Sequence, residues 1–171
     1  MNDNNRELAL LQLAGQMSTR GEWCGAAYLQ ALSYLLDLSS ENSCGFAHYW
    51  YRGGPYSALV AETLETLRAN GLICHDPVVL PAGPSYRCTS AAEKRLASGD
   101  TSRSSHLIDT FLNHPGKQRL LLARATYALA NHSGKPLEWL EELGTKTEEA
   151  TESLNAAKEL LASRCRPPVA S

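Results

Sequence analysis

His48-Tyr49-Trp50-Tyr51-Arg52-Gly53-Gly54-Pro55-Tyr56-Ser57, followed by Leu59, Val60, Leu64, Leu67 and Gly71, is the stretch that decides the fold. Residues 46–52 are dense in aromatic side chains, which favours a short strand, and Gly53-Gly54-Pro55 is predicted to turn the chain sharply into a helix. Pro55 pre-sets the entry to that helix, and Ser57 is placed to cap its first turn. The leucines and Val60 recur at helical spacing, and Gly71 is expected to stop the helix as a left-handed C-cap after about fourteen residues. A steep turn is the physical reason for Gly54 and Pro55, and the run Tyr49-Trp50-Tyr51 is expected to supply buried area around that corner.

Upstream, residues 4–17 read as a helix with Asn4 and Glu7 at capping-box spacing, and residues 19–38 as a second, with Thr19 and Glu22 repeating the signature. Residues 39–45 form a polar loop. Downstream, 72–80 and 85–88 read as two strands around Pro81-Ala82-Gly83-Pro84, a hairpin of wing-like shape. Ser90 and Glu93 are predicted to cap a short helix through Leu96. Ser98-Gly99-Asp100-Thr101-Ser102 is the best linker. Beyond it the pattern is helical at 107–112, 117–130, 137–143 and 148–161, with Thr145 and Glu148 capping the last. A frayed tail is expected from Arg166 onward.

The order helix, helix, strand, turn, helix, hairpin predicts a mainly α fold with a small β wing. The expected division is a winged helix-turn-helix domain at 1–98 with a helical C-terminal extension at 103–164 packed on it. Residues 48–57, with Leu64, Leu67, Gly71, Leu72 and Ile73 after them, resemble the "aromatic, GPYS, L..L...GLI" signature of YwgA-like winged-helix proteins, shared by Panacea (SocA-like) antitoxin domains. The similarity continues through Tyr86-Arg87-Cys88-Thr89, Leu121, Ala123, Thr126, Tyr127, Lys146 and 157–161, and so covers most of the chain. Proteins of this shape also occur as the small middle component of three-component defence systems built on an SMC-like ABC ATPase, Lamassu among them. The resemblance implies an adaptor that holds a larger assembly together with such an ATPase and an effector.

The composition is that of an ordinary globular chain, 43% hydrophobic and 20% charged over 171 residues. No apolar run approaches the ~18 residues of a membrane span and no charged-then-apolar leader opens the sequence, so a cytoplasmic protein without a membrane segment is expected. Asn131-His132-Ser133 fits the glycosylation acceptor pattern, which has no meaning in that compartment. Cys24, Cys44, Cys74, Cys88 and Cys165 are odd in number and lack metal-ligand spacing, so they read as reduced, mostly buried thiols. The five histidines lie in unrelated contexts, and HExxH, GxSxG, Walker and GxGxxG patterns are absent. Cys74 and His75 are adjacent on a strand and so point to opposite faces. Neither an enzyme nor a cofactor or metal site is expected.

Net charge −2 and a sequence pI of 6.2 argue mildly against DNA as the main partner. The predicted outward positions of the third helix are Ala58, Ala61, Glu62, Glu65 and Arg68, and two carboxylates there would be repelled by phosphates. Direct binding of duplex is therefore expected to be weak or absent. Arg52, Arg68 and Arg87 remain the candidate nucleic-acid contacts, with Arg95, Arg103, Lys117, Arg119 and Arg124 further on. Opposite in sign, residues 138–152 carry Glu138, Glu141, Glu142, Glu148, Glu149 and Glu152 against Lys146 alone, a surface suited to a basic protein partner. Trp139 inside it is either an exposed interface anchor or a core residue packing with Leu140 and Leu143. The sequence thus points first to a non-enzymatic adaptor in a multi-protein assembly, with a DNA-binding regulator or an antitoxin as alternatives.

Overall fold

The computed structural model describes residues 3–39, 43–76, 83–97, 102–132 and 134–163, side chains excepted at 102, 103 and 163. The chain is mainly helical, with two small antiparallel sheets of two strands each. In order come α1 (Asp3–Thr19), α2 (Ala26–Ser39), β1 (Tyr49–Tyr51), β2 (Gly54–Tyr56), α3 (Ala58–Ala69), β3 (Ile73–His75) and β4 (Tyr86–Cys88). The helices α4 (Ser90–Leu96), α5 (Ser102–Leu112), α6 (Gly116–Asn131), α7 (Pro136–Glu142) and α8 (Thr147–Ser163) follow.

One hydrophobic cluster runs through the molecule. Leu10, Leu13 and Met17 of α1, Leu29, Leu32 and Leu35 of α2, Leu67 of α3 and Ile108 and Phe111 of α5 are fully buried in it, and Leu122, Leu140 and Ala157 extend it into the last three helices. Helix α1 lies against α2, α3, α5 and β4, while α6 packs on α8, α7 and α2 and touches β2. Ion pairs join distant segments at the rim: Arg20 to Asp109 at 2.7 Å, Arg95 to Glu7 at 2.9 Å and Arg119 to Glu22 at 2.9 Å. Such half-exposed pairs each contribute on the order of 0–1 kcal/mol, so the apolar cluster holds the elements together and the pairs fix their register.

These long-range partners explain where local capping signals fail. Asn4 and Glu7 lie inside α1 and accept hydrogen bonds from Arg95 instead of closing a capping box. Helix α2 starts at Ala26, not at Thr19. Thr19 ends α1 with its hydroxyl donating to the Gly15 carbonyl, and Glu22 accepts from Arg119. Between the helices the Trp23 ring lies directly over Gly25, where a Cβ would stand 2.1 Å from the indole. At α4 the N-cap is Thr89, whose hydroxyl donates to the carbonyls of Gly71 and Leu72. Helix α8 starts at Thr147, one residue before Glu148, and the Thr147 hydroxyl donates to Glu141. The far part of the first wing strand with Pro81 and Ala82, the linker at 98–101 and the tail from residue 164, Cys165 included, lie outside the described residues.

The corner at residues 51–57 differs from the expected strand-to-helix turn. Gly54, Pro55 and Tyr56 do not open the third helix; they form β2, pairing with β1 in the register Tyr49↔Tyr56, Trp50↔Pro55 and Tyr51↔Gly54. The connection is a two-residue loop with positive φ at both positions, 48° at Arg52 and 86° at Gly53, the requirement of a type I′ hairpin turn. Proline is tolerated in such an edge strand because its missing N–H costs no ladder bond. Helix α3 begins at Ala58, after Ser57, whose side chain caps the Val60 N–H at 3.4 Å.

Ser57 itself is fully buried, and its backbone N–H and carbonyl are engaged from α2. Its N–H donates to Gln30 Oε1 at 2.8 Å, its carbonyl accepts from Gln30 Nε2 at 3.0 Å, and its hydroxyl donates to the Phe46 carbonyl. At the other end of α3, Gly71 has φ 67°, with Gly71 N–H to the Arg68 carbonyl at 3.0 Å and Leu72 N–H to the Leu67 carbonyl at 2.9 Å. That is the paired bond pattern of a Schellman stop.

Two substitutions test this account of α3. Gln30→Leu leaves the Ser57 N–H buried without a partner and its carbonyl with the Ala61 N–H alone at 3.4 Å, and is expected to lower the unfolding free energy in urea by about 1–3 kcal/mol. Gly71→Ala meets no neighbour within 4 Å and pays only for the left-handed backbone, so a loss of about 1 kcal/mol is expected in the same measurement.

Candidate functional site

The β1–β2 hairpin has two chemically different faces, set by the alternation of side chains along a strand. Trp50 and buried Pro55 point inward. The Trp50 ring meets Trp139 edge-on at 4.6 Å and Tyr127 at 5.1 Å, and Trp139 stacks on His132 at 4.5 Å. Trp139 is thus half-buried, part of an aromatic stack that ties the hairpin to α6 and α7, and it is not an exposed anchor.

Tyr49, Tyr51 and Tyr56 occupy the other face. The expectation that the whole aromatic run is buried fails here: Tyr49 is 48% and Tyr51 45% exposed. Their rings contact one another and Tyr56, at 6.4 Å for Tyr49 with Tyr51, 5.6 Å for Tyr49 with Tyr56 and 5.3 Å for Tyr51 with Tyr56. Arg52, at the tip, holds its guanidinium 5.2 Å from the Tyr51 ring centre. Tyrosine and arginine side by side on a rigid hairpin are the residue types that carry binding energy in protein interfaces. In the sequence, the period-two spacing of Tyr49 and Tyr51 around Trp50 is the signal that separates the two faces.

Among the described residues, most of the candidate nucleic-acid contacts are already paired with carboxylates. On α3, Ala58, Glu62, Glu65 and Arg68 are exposed and Ala61 half-buried, but Arg68 is held by Glu65 at 2.6 Å. Arg87 on β4 pairs with Asp76 at 3.4 Å. Arg95 and Arg119 are spent on their inter-element pairs, and Lys117 is exposed at the start of α6. A guanidinium already neutralised by a carboxylate adds little to the attraction of a phosphate chain.

Glu138, Glu141 and Glu142 are exposed on α7, and Glu148, Glu149 and Glu152 on α8. Glu138 pairs with Lys135 at 2.6 Å. The surface there is acidic, with Leu143, 40% exposed, in the turn that follows α7.

Ser33, His48 and Asp37 form a further polar group, with Ser33 Oγ 3.1 Å from His48 Nε2 and His48 Nδ1 3.9 Å from Asp37. The arrangement has the residue types of a hydrolase triad but not its access. Ser33 is fully buried and donates to the Gln30 carbonyl, while Asp37 accepts the backbone N–H groups of Cys44 and Phe46. These contacts fasten residues 44–48 to α2. Burial pushes the Cys24 thiol up to about 12 and the Cys88 thiol to about 11, so both stay protonated at neutral pH. Among the described residues no cluster of His, Cys, Asp and Glu fits a metal ion, and no helix is long and apolar enough to cross a membrane.

No protein-family model matches the chain, and no curated protein matches it significantly.

The buried histidine makes stability depend on pH. Desolvation lowers the His48 pKa from its ordinary 6.5 to about 4, against the Asp37 carboxylate, which raises it. Between these values the unfolded chain binds a proton that the folded chain does not, so stability is present above about pH 6.5 and is lost as pH falls toward 4. Going from pH 7 to pH 4.5, urea unfolding of the wild type is expected to lose about 2 kcal/mol more than that of a His48→Asn variant. Equal losses would place the titration elsewhere.

Proposed function

We propose that this chain is a non-enzymatic adaptor subunit of a multi-protein assembly, built on a winged-helix module with a helical extension and acting by binding protein partners. The observation that carries the reading is the outward tyrosine face of the β1–β2 hairpin, held rigid from behind by the Trp50–Trp139 stack. A pre-ordered aromatic surface loses little side-chain entropy on binding, so its burial converts efficiently into affinity. The order α2, α3 and hairpin β3–β4 supports the winged-helix part. The acidic surface of α7 and α8 provides a second contact, suited to a basic partner. The resemblance of residues 48–57 and the leucine-glycine pattern after them supports an SMC-like ABC ATPase and an effector as the partners, in phage or plasmid defence in the cytoplasm. No cofactor enters this reading.

Exposed Glu62 and the Glu65–Arg68 pair on α3 favour this reading over a DNA-binding regulator, whose recognition helix would present donors to base edges.

Capture of the tagged chain from its native host, with identification of the bound protein, tests the proposal. Tyr49→Ser with Tyr51→Ser is expected to weaken that complex by at least about 2 kcal/mol, and Glu138→Lys, Glu141→Lys and Glu142→Lys together to slow its association, both with an unchanged fold. Tight, sequence-selective binding of duplex at physiological salt, or a complex insensitive to these variants and abolished by Arg68→Ala, would overturn it.

A further inference from the structure

A cleft of about 600 Å³ opens between α2, the β1–β2 hairpin, α3 and α6. Its size is that of a site for one small organic molecule. The walls are apolar and built largely from small side chains, among them Ala27 of α2, Ala61 of α3 and Ala123 of α6, with the Tyr51 and Tyr56 rings on the hairpin side. Larger residues at those positions would fill the space.

Two guanidinium groups border this cleft, and they differ from the others in the molecule. Arg6, Arg20, Arg68, Arg87, Arg95 and Arg119 each hold a carboxylate. Arg52 and Arg124 are the arginines among the described side chains that hold none, and both line the cleft. Arg124 is half-buried, and its guanidinium lies beside the hairpin turn, 3.5 Å from where a Cβ on Gly53 would stand. Glu65, the one carboxylate on the cleft wall, is engaged by Arg68 at 2.6 Å.

We propose that this cleft binds a small amphipathic carboxylic acid, whose aromatic or branched aliphatic body lies against the alanine and tyrosine walls and whose carboxylate is held by Arg124, with Arg52 at the rim. A planar guanidinium matches a carboxylate with two parallel hydrogen bonds, and an apolar surround strengthens them. Burial lowers the Arg124 pKa with no anion to offset it, and a bound carboxylate removes that imbalance. A half-buried cation without a counter-charge is a cost that a bound anion relieves, whereas a neutral apolar molecule leaves it in place. The site is independent of the adaptor reading: it takes a small molecule, not a protein. Because Tyr51 and Tyr56 belong to both surfaces, an occupant touches the back of the tyrosine face.

The probes are 2-naphthoate and its neutral counterpart 2-naphthamide, titrated calorimetrically into the full chain. Saturable binding of one naphthoate per chain is expected, about tenfold or more tighter than naphthamide. Arg124→Gln should abolish that difference while leaving naphthamide binding unchanged, and Ala61→Phe should remove both. Arg52→Asn, on an exposed turn whose backbone suits asparagine, should weaken naphthoate a few-fold, and it guards against a folding failure at position 124. Circular dichroism and the melting temperature verify the fold of each variant. Equal affinity for the two probes, an unaltered naphthoate affinity in folded Arg124→Gln, or no saturable binding at millimolar concentrations would overturn the proposal.

Discussion

The side chain of Gln30 does for Ser57 what a neighbouring strand would otherwise do. Its amide oxygen and nitrogen engage the N–H and carbonyl of one residue at the point where β2 ends and α3 begins. That point is fully buried, so neither group can turn to water, and beside Gln30 only the Ala61 N–H, at 3.4 Å from the carbonyl, engages them. The amide group of a side chain on α2 has the same donor and acceptor as a peptide and fits the gap. Because Ser57 also holds the Phe46 carbonyl and the first turn of α3, one buried contact fixes the loop after α2, the hairpin and the following helix relative to each other. Everything on the hairpin inherits its position from there.

From that anchor the hairpin reaches across to the second half of the chain. Trp50 is its contact, and the stack of Trp50, Trp139 and His132 with Tyr127 beside it joins elements separated by some eighty residues in sequence. Aromatic pairs in edge-on and offset geometries add about 0.5–1.5 kcal/mol each beyond their buried area. The hairpin is three residues per strand, too short to be stable alone, and its persistence as a rigid platform rests on packing from behind.

Much of this was legible in the sequence, and the failures share one cause. Helical periodicity located α1, α3, α6 and α8 to within a few residues, and Gly71 and Ser57 act at the two ends of α3 as their chemistry requires. Capping signatures misled at Asn4, Thr19, Ser90 and Thr145. Each of these motifs is a local rule, and side chains such as Glu7 and Glu22 had stronger offers from Arg95 and Arg119, about ninety residues away in sequence. At the corner, Gly53-Gly54-Pro55 was read for its turn and not for the strand that follows, since glycine and proline are poor strand formers and only the pairing with Tyr49-Trp50-Tyr51 makes them one. Gln30 was invisible as a partner of Ser57, because nothing in a one-dimensional pattern marks a glutamine 27 positions away as an amide stand-in. The cleft arginine escaped for the same reason: whether Arg124 has a counter-charge depends on what folding brings near it.

Alternation along β1 divides labour between neighbouring positions. Residues 50 and 55 answer to the interior, while 49 and 51 are exposed and answer chiefly to whatever lies outside. Substitutions at Tyr49 and Tyr51 leave the buried side of the hairpin untouched, so the outward surface is free to drift and acquire new specificities one codon at a time. A single-residue insertion or deletion in the same strand has the opposite character, because it exchanges the two sets and exposes the tryptophan while driving tyrosines inward. Diversity in such a hairpin is therefore expected to accumulate by replacement, with its length held constant.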